Sequence, residues 1–119
     1  MGVHNEFGKK GESMAAAYLI KRGYVIKYRN YRYLKAEIDI IAQKGNITAI
    51  IEVKSRSSTY FEEIAETVSR KKIKLIVSAA DHYINSHHLD TEVRFDIITI
   101  LKRDNRFRIE HLENAFYHF

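Results

Sequence analysis

Glu37-Ile38-Asp39-Ile40-Ile41-Ala42 and, beyond Gln43-Lys44-Gly45-Asn46, the run Ile50-Ile51-Glu52-Val53-Lys54 decide how this chain of 119 residues is read. Apolar residues alternate with others on both sides of a turn signal, Gly45 beside Asn46, as in two strands of a hairpin. Alternation puts Ile38, Ile40 and Ala42 on one face of the first strand and Glu37, Asp39 and Ile41 on the other. On the second strand Ile47, Ala49, Ile51 and Val53 share a face, and Thr48, Ile50, Glu52 and Lys54 share the opposite one. With Ala42 opposite Ile47, Glu37 faces Glu52 and Asp39 faces Ile50, so that Asp39 and Glu52 are diagonal neighbours with Cβ atoms up to ~7–8 Å apart. A slip of one residue would send them to opposite faces.

Three carboxylates and an ammonium on one strand face strain a sheet, because like charges set opposite each other destabilise the pair. A divalent cation removes the difficulty: Mg²⁺ takes oxygen ligands, commonly one or two carboxylates with waters and substrate phosphate. Lys54, two residues from Glu52, is placed to hold or activate a water beside such an ion, the apparatus of metal-assisted phosphodiester hydrolysis. The bland alternative is a solvated face of ordinary cross-strand ion pairs. A lone Glu-x-Lys would favour it; Glu-x-Asp, hairpin, Glu-x-Lys between apolar runs favours a site.

Asp39 with Glu52-Val53-Lys54 resembles the motif of the PD-(D/E)xK nuclease superfamily, and nearly the whole chain is similar to its small bacterial YraN-type family. The shared residues are Gly11-Glu12, Ala16, Leu19, Gly23-Tyr24, Asn30-Tyr31-Arg32, Glu37-Ile38-Asp39, Glu52-Val53-Lys54-Ser55-Arg56, Lys71, Ala80, Arg94-Phe95-Asp96 and Asn114-Ala115-Phe116. The chain departs from the family pattern at Ala36 and Glu62, where glycine is usual. The resemblance implies a restriction-endonuclease-like α/β core, metal ligation by Asp39 and Glu52 with the Val53 carbonyl, a catalytic Lys54, a site role for Glu12 on the first helix, and Glu37 as a supporting residue. It singles out Lys71 over Lys72. Junction-cutting members of that superfamily act as dimers; whether this chain is a homodimer is left open by that analogy.

Composition sets the bounds. The length suits one domain, residues 1–119, with a real core. With no cysteine, disulfides and thiolate zinc sites are excluded, in keeping with a cytoplasmic location. No apolar run is long enough to cross a bilayer, and the first residues lack a signal-type core. A net charge of +5 favours polyanionic partners without choosing among nucleic acid, membrane and acidic protein. Basic residues gather in Lys27–Lys35, in Arg70-Lys71-Lys72 with Lys74, and in Lys102–Arg108. Arg32, Lys35, Arg56, Arg70, Lys71 and Lys72 are the candidate phosphate contacts. Tyr24, Tyr28, Tyr31 and Tyr33 interleave the first cluster, either as a stacking platform for bases or as a charged edge strand guarded against pairing.

In chain order, a helix spans about Asn5, its N-cap, to Arg22, stopped by Gly23. Gly8, Glu12, Ala15, Ala16 and Leu19 form one stripe; a carboxylate there is costly unless paired. A strand Tyr24–Tyr33 bends near Asn30. After the hairpin come a polar loop from Ser55 to Thr59, Tyr60-Phe61 as its anchor, and an acidic turn Glu62–Glu66. A second helix starts at Ser69 and ends near Asn85, with Lys72, Leu75, Ile76, Ala79, Ala80 and Tyr83 on one face. Lys71 and Lys72 stand in its first turn, unfavourable against the helix dipole unless an anion binds there; Lys72 more readily extends into water. His87-His88 belongs to a solvated loop. Strands Val93–Leu101 and Phe107–Leu112 follow, Arg94 and Asp96 forming a structural ion pair, and an aromatic tail packs on the domain or on a second copy.

The order helix, three strands, helix, two strands is an α/β domain with a mixed sheet flanked by helices. The expected function is hydrolysis of nucleic-acid phosphodiesters with Mg²⁺ or Mn²⁺, DNA before RNA and structured or branched DNA included. The alternative is a non-catalytic nucleic-acid-binding or adaptor module that keeps the fold.

Overall fold

The computed structural model describes residues 3–57 and 69–116, with backbone alone at 3–5. The loop beyond Ser57, Tyr60-Phe61, the acidic Glu62–Glu66 segment and the last three residues lie outside them. Seven elements follow in the order expected: α1 (Val3–Lys21), β1 (Val25–Tyr33), β2 (Ala36–Lys44), β3 (Ile47–Arg56), α2 (Arg70–Ser86), β4 (Glu92–Arg103) and β5 (Arg106–Leu112). The strands form one mixed sheet in the order β1-β2-β3-β4-β5. Only β3 and β4 pair in parallel, across the crossover that carries α2; the other pairs are antiparallel.

Each helix covers one face. Ile41, Ile50, Phe95 and Ile97 pack under Ile76, Ala79, Ala80 and Tyr83 of α2. Ile40, Ala42, Ala49, Ile51, Ile98 and Ile100 pack under Ala15, Ala16 and Leu19 of α1. These are the faces that alternation assigns on β3 and β4. The tail residues Ala115 and Phe116 pack on the domain itself, Ala115 N–H donating to the Phe95 carbonyl at 2.7 Å. No helix among the described residues is long and apolar enough to cross a membrane.

Three expectations are corrected. Helix α1 runs back to Val3, so Asn5 lies inside it and is not its cap; a cap preference is worth only about 1 kcal/mol and yields to a helix that continues. The β2–β3 turn has two residues, Gly45 and Asn46, with Lys44 opposite Ile47 and Ala42 opposite Ala49. Gly45 takes φ +57°, as a two-residue turn with glycine first requires, and such turns match the twist of the strands. The register is therefore displaced by two residues, and an even displacement keeps every face.

The third correction shapes the site. Ile38 shares the α2 face with Ile41, not the α1 face with Ile40. Alternation breaks at Asp39, between Ile38 and Ile40. Directly across the ladder Asn30 takes φ +56°, and Tyr28 and Tyr31 on either side of it both meet Tyr83 of α2, with ring centroids 5.5 Å apart in each case. Asparagine is one of the few residues that enters this conformation readily. The two strands kink together, and the strand continues through Asn30 without turning.

Other expected punctuation is present. Gly23, at φ +91°, ends α1; its N–H reaches the Ile20 carbonyl and that of Tyr24 the Leu19 carbonyl, the paired bonds of a Schellman stop. Ser69 caps α2, its Oγ accepting the Lys72 N–H at 3.2 Å. Of the tyrosines, Tyr24 is buried, Tyr33 stacks on His82 at 4.0 Å, and Tyr28 and Tyr31 pack on Tyr83. They bind β1 to the domain; β1 is an edge strand, and its exposed positions carry Lys27, Arg29 and Arg32 beside Val25, Tyr28 and Asn30.

Candidate active site

The β2–β3 ladder ends at Ile40 opposite Ile51. Past that point the strands part, and the kink at Asp39 turns its carboxylate into the gap. Asp39 Oδ2 accepts the Val53 N–H at 2.8 Å, taking the place of the backbone carbonyl that the parted strand no longer supplies. The N–H and C=O of one strand residue point to the same edge, so the Val53 carbonyl is directed to the side where Asp39 lies.

Glu52, 6% exposed, stands beside it, and its Oε1 is held by two ammonium groups. Lys72 Nζ, from the first turn of α2, lies 2.6 Å away, and Lys54 Nζ, from β3 itself, 3.5 Å away. Glu12 enters from α1. It can come this close because Gly11 lies against β3: a Cβ at Gly11 would sit 2.1 Å from Ser55 Oγ. Arg29 and Asn30 of β1 flank Glu12, and the Arg29 guanidinium also donates to Ser13 Oγ at 3.3 Å.

Burial and mutual repulsion set the electrostatics. Desolvation, then the charge of Glu52, pushes the Asp39 carboxyl up to about 7, against the opposing Val53 N–H bond. Desolvation also raises Glu12; Arg29 opposes it, while Glu37 and Glu52 add to it. The Lys54 ammonium is lowered by burial, and its neighbour Lys72 adds to this against the pull of Glu52. Burial works against the charge on Lys72 too and is the largest single influence, but the hydrogen bond to Glu52 together with the charges of Glu52 and Asp39 overcomes it and raises the group. Two buried side-chain oxygens, Glu12 Oε1 and Thr99 Oγ1, have no hydrogen-bond partner among the described residues. Thr99 lies opposite Lys54 in the ladder. Buried polar atoms are satisfied in the great majority of cases, and exceptions ask for a reason.

Asp39, Glu52, Lys54 and Glu12 thus converge, with Val53 aimed at them. Glu37 does not: it pairs with Arg32 directly across the β1–β2 ladder at 2.8 Å, a solvent-facing bridge that engages both residues. Lys72, a candidate phosphate contact, turns inward onto Glu52, while Lys71 is exposed. Arg70 and Lys35 are exposed, and Arg56 Nη1 donates to the Ser55 carbonyl at 3.1 Å. Sequence reasoning missed Arg29 and Asn30. Asn30 offered a signal, as an asparagine in a strand otherwise rich in aromatic residues.

No group of three or more His, Cys, Asp or Glu among the described residues stands in metal-holding geometry. The oxygen donors offered are two carboxylates and a carbonyl, with an unpartnered glutamate oxygen near by. That set fits a hard dication which keeps most of its waters, as Mg²⁺ does, and does not fit a closed protein cage. Asp39 and Glu52 with Val53 would hold it.

Comparison with known proteins agrees with the full-length resemblance. The model of an uncharacterised protein family, UPF0102, matches residues 11–100, from the Gly11-Glu12 step through β4 to Ile100. A UPF0102 protein of Flavobacterium psychrophilum is 50% identical over 119 residues, all of both chains. Relatives from Bacteroides thetaiotaomicron and Christiangramia forsetii are 49% and 48% identical, the first over 98% of this chain and 97% of its own, the second over all of both. Spanned from its first helix to its fourth strand by that model and matched end to end by these relatives, the chain belongs to the UPF0102, YraN-type family.

Proposed function

We propose that the protein is a Mg²⁺- or Mn²⁺-dependent nuclease that hydrolyses phosphodiester bonds, with DNA, including branched DNA, as the first substrate class to try. The observation that carries this reading is the meeting of Asp39, Glu52 and Lys54 where β2 and β3 part, with Asp39 fixed by the Val53 N–H at 2.8 Å. A hard dication bound there would supply Lewis-acid charge to the phosphoryl oxygens and a more acidic water. Lys54, its ammonium made more acidic by burial, holds the attacking water and counters the charge that develops on the phosphoryl group; once it has released its own proton to solvent, the neutral amine accepts the water's proton at Nζ. Glu12 orients water at the edge of the site through its free Oε1. Arg70 and Lys71, exposed at the start of α2, bind flanking phosphates, and their contacts weaken steeply with salt.

The test is incubation of plasmid, single-stranded and branched DNA, and of RNA, with Mg²⁺ or Mn²⁺. Wild type cuts at least one of them, and Asp39→Ala and Lys54→Ala each lose roughly 10³-fold, the scale of removing a preorganised electrostatic group. No cutting of any substrate, or variants as active as wild type, overturns it. The lysine already seated on Glu52 favours a second reading, a nucleic-acid-binding module without chemistry. That reading expects salt-sensitive binding that survives Asp39→Ala, without metal-dependent turnover.

A further inference from the structure

Three cations crowd the positive end of α2: Arg70, Lys71 and Lys72. The helix dipole opposes them unless an anion lies close. For Lys72 the anion is Glu52, on β3. Glu52 Oε1 is shared by two ammonium groups, and the two are not equally held. Lys54 is built into the sheet, its side chain 15% exposed. The Lys72 side chain is 42% exposed and reaches in from the helix margin. Its backbone is fixed by the Ser69 cap, so its ammonium can swing out without disturbing α2. An oxygen engaged by two cations is a poor ligand for a third, and the movable cation is the one that can yield.

Resting on the hydrolase reading above, we propose that Lys72 is a displaceable counter-ion: it neutralises Glu52 in the metal-free protein, a divalent cation expels it, and the released ammonium then meets the substrate phosphate. The cluster at the start of α2 acquires a purpose by this route. When Glu52 turns to a metal, the anion that compensates Lys72 and the helix end becomes a phosphate of the bound strand, so that metal and substrate favour each other. Lys72 therefore has two effects of opposite sign. It weakens metal binding in the absence of substrate and assists hydrolysis in its presence. A side chain that merely props the site would lose both together.

Calorimetric titration of the full chain with Mn²⁺ tests the first effect. Lys72→Met binds Mn²⁺ roughly tenfold more tightly than wild type, the ordinary size of coupling between two linked equilibria, yet cleaves more slowly. Lys72→Arg, which keeps the charge, binds no more tightly than wild type. A second measurement needs no variant: the rate of Lys72 acetylation, followed by mass spectrometry, rises several-fold on adding Mg²⁺, while that of Lys71 does not change. Equal or weaker Mn²⁺ binding by Lys72→Met, or Lys72 acetylation indifferent to Mg²⁺, overturns this proposal and leaves the hydrolase reading standing if cleavage persists. Absence of Mn²⁺ binding by wild type at millimolar concentration overturns both.

Discussion

Asp39 on β2 and Asp96 on β4 are carboxylates drawn into one sheet, separated only by β3, and the fold treats them in opposite ways. Asp96 is fully buried, and its oxygens are filled: Arg94 donates from Nε at 2.9 Å and from Nη2 at 2.8 Å, His111 from Nε2 at 2.8 Å, and the Asn114 N–H at 3.2 Å. Arg94 in turn bonds the Tyr24 hydroxyl. Burial by itself would raise this carboxyl, but the bonds from His111 and Arg94 win and hold it below the usual carboxylate range. Asp39 has one backbone N–H and two acidic neighbours, and is pushed the other way. A charge with all its partners locks β4, β5 and the tail together. A charge kept short of partners has capacity left for a ligand. On this contrast the Arg94-Phe95-Asp96 motif is architectural, and the Asp39 cluster is where the proposed chemistry would take place.

The contrast is broken or sharpened most strongly by deletion of Asp96. Asp96→Ala strands Arg94 and His111 in the interior and costs about 3–5 kcal/mol, the scale for halving a buried ion pair, read by urea unfolding. Asp39→Ala, by contrast, leaves the protein at least as stable as wild type. If the two variants lose stability equally, Asp39 is structural too.

The pH dependence comes next in size. Asp39 is raised in the folded state from its ordinary value near 3.8 to about 7. Across that window the unfolded chain has released a proton that the folded chain retains, so this group's contribution to stability falls as pH rises from about 4 to 7. Asp96 has the reverse sign: lowered in the folded state, it contributes stability that is present above its ordinary value and lost as pH falls below it. Thermal melts from pH 4 to 8 show the downward slope in wild type and a shallower one in Asp39→Asn. Mn²⁺ at pH 8 raises the melting temperature of wild type more than that of Asp39→Asn, because the ion binds only the folded state.

The smallest effect belongs to Glu12. Glu12→Gln removes a desolvated charge from beside Glu52 and stabilises the fold by up to about 1 kcal/mol, read by urea unfolding, while weakening Mn²⁺ binding. A variant less stable than wild type would place Glu12 with the structural charges.

Much of this was legible in the residues. Period-two alternation places Ile50, Glu52 and Lys54 on one face, and a register displaced by two cannot undo that. The kink at Asp39 was not legible, because alternation presumes an unbroken ladder and the break is a joint property of Asp39 and Asn30 on different strands. The pairing of Lys72 with Glu52 was not legible for a similar reason. Its neighbours in sequence describe a solvated helix start, whereas its partner is 20 residues away on β3. Gly11 was visible as a shared residue, but its use, letting α1 approach Ser55, depends on where a helix comes to rest on a sheet.

The strand order has a further consequence, for the path of folding. Asp39 and Glu52 are joined by a single local hairpin closed by Gly45-Asn46, and hairpins form within microseconds. Lys72 arrives only when the long crossover between β3 and β4 has docked. The nascent hairpin therefore brings its acidic groups together before their lysine is in place. Refolding in alkaline buffer should be slower for the natural chain than for one in which residue 39 carries no charge.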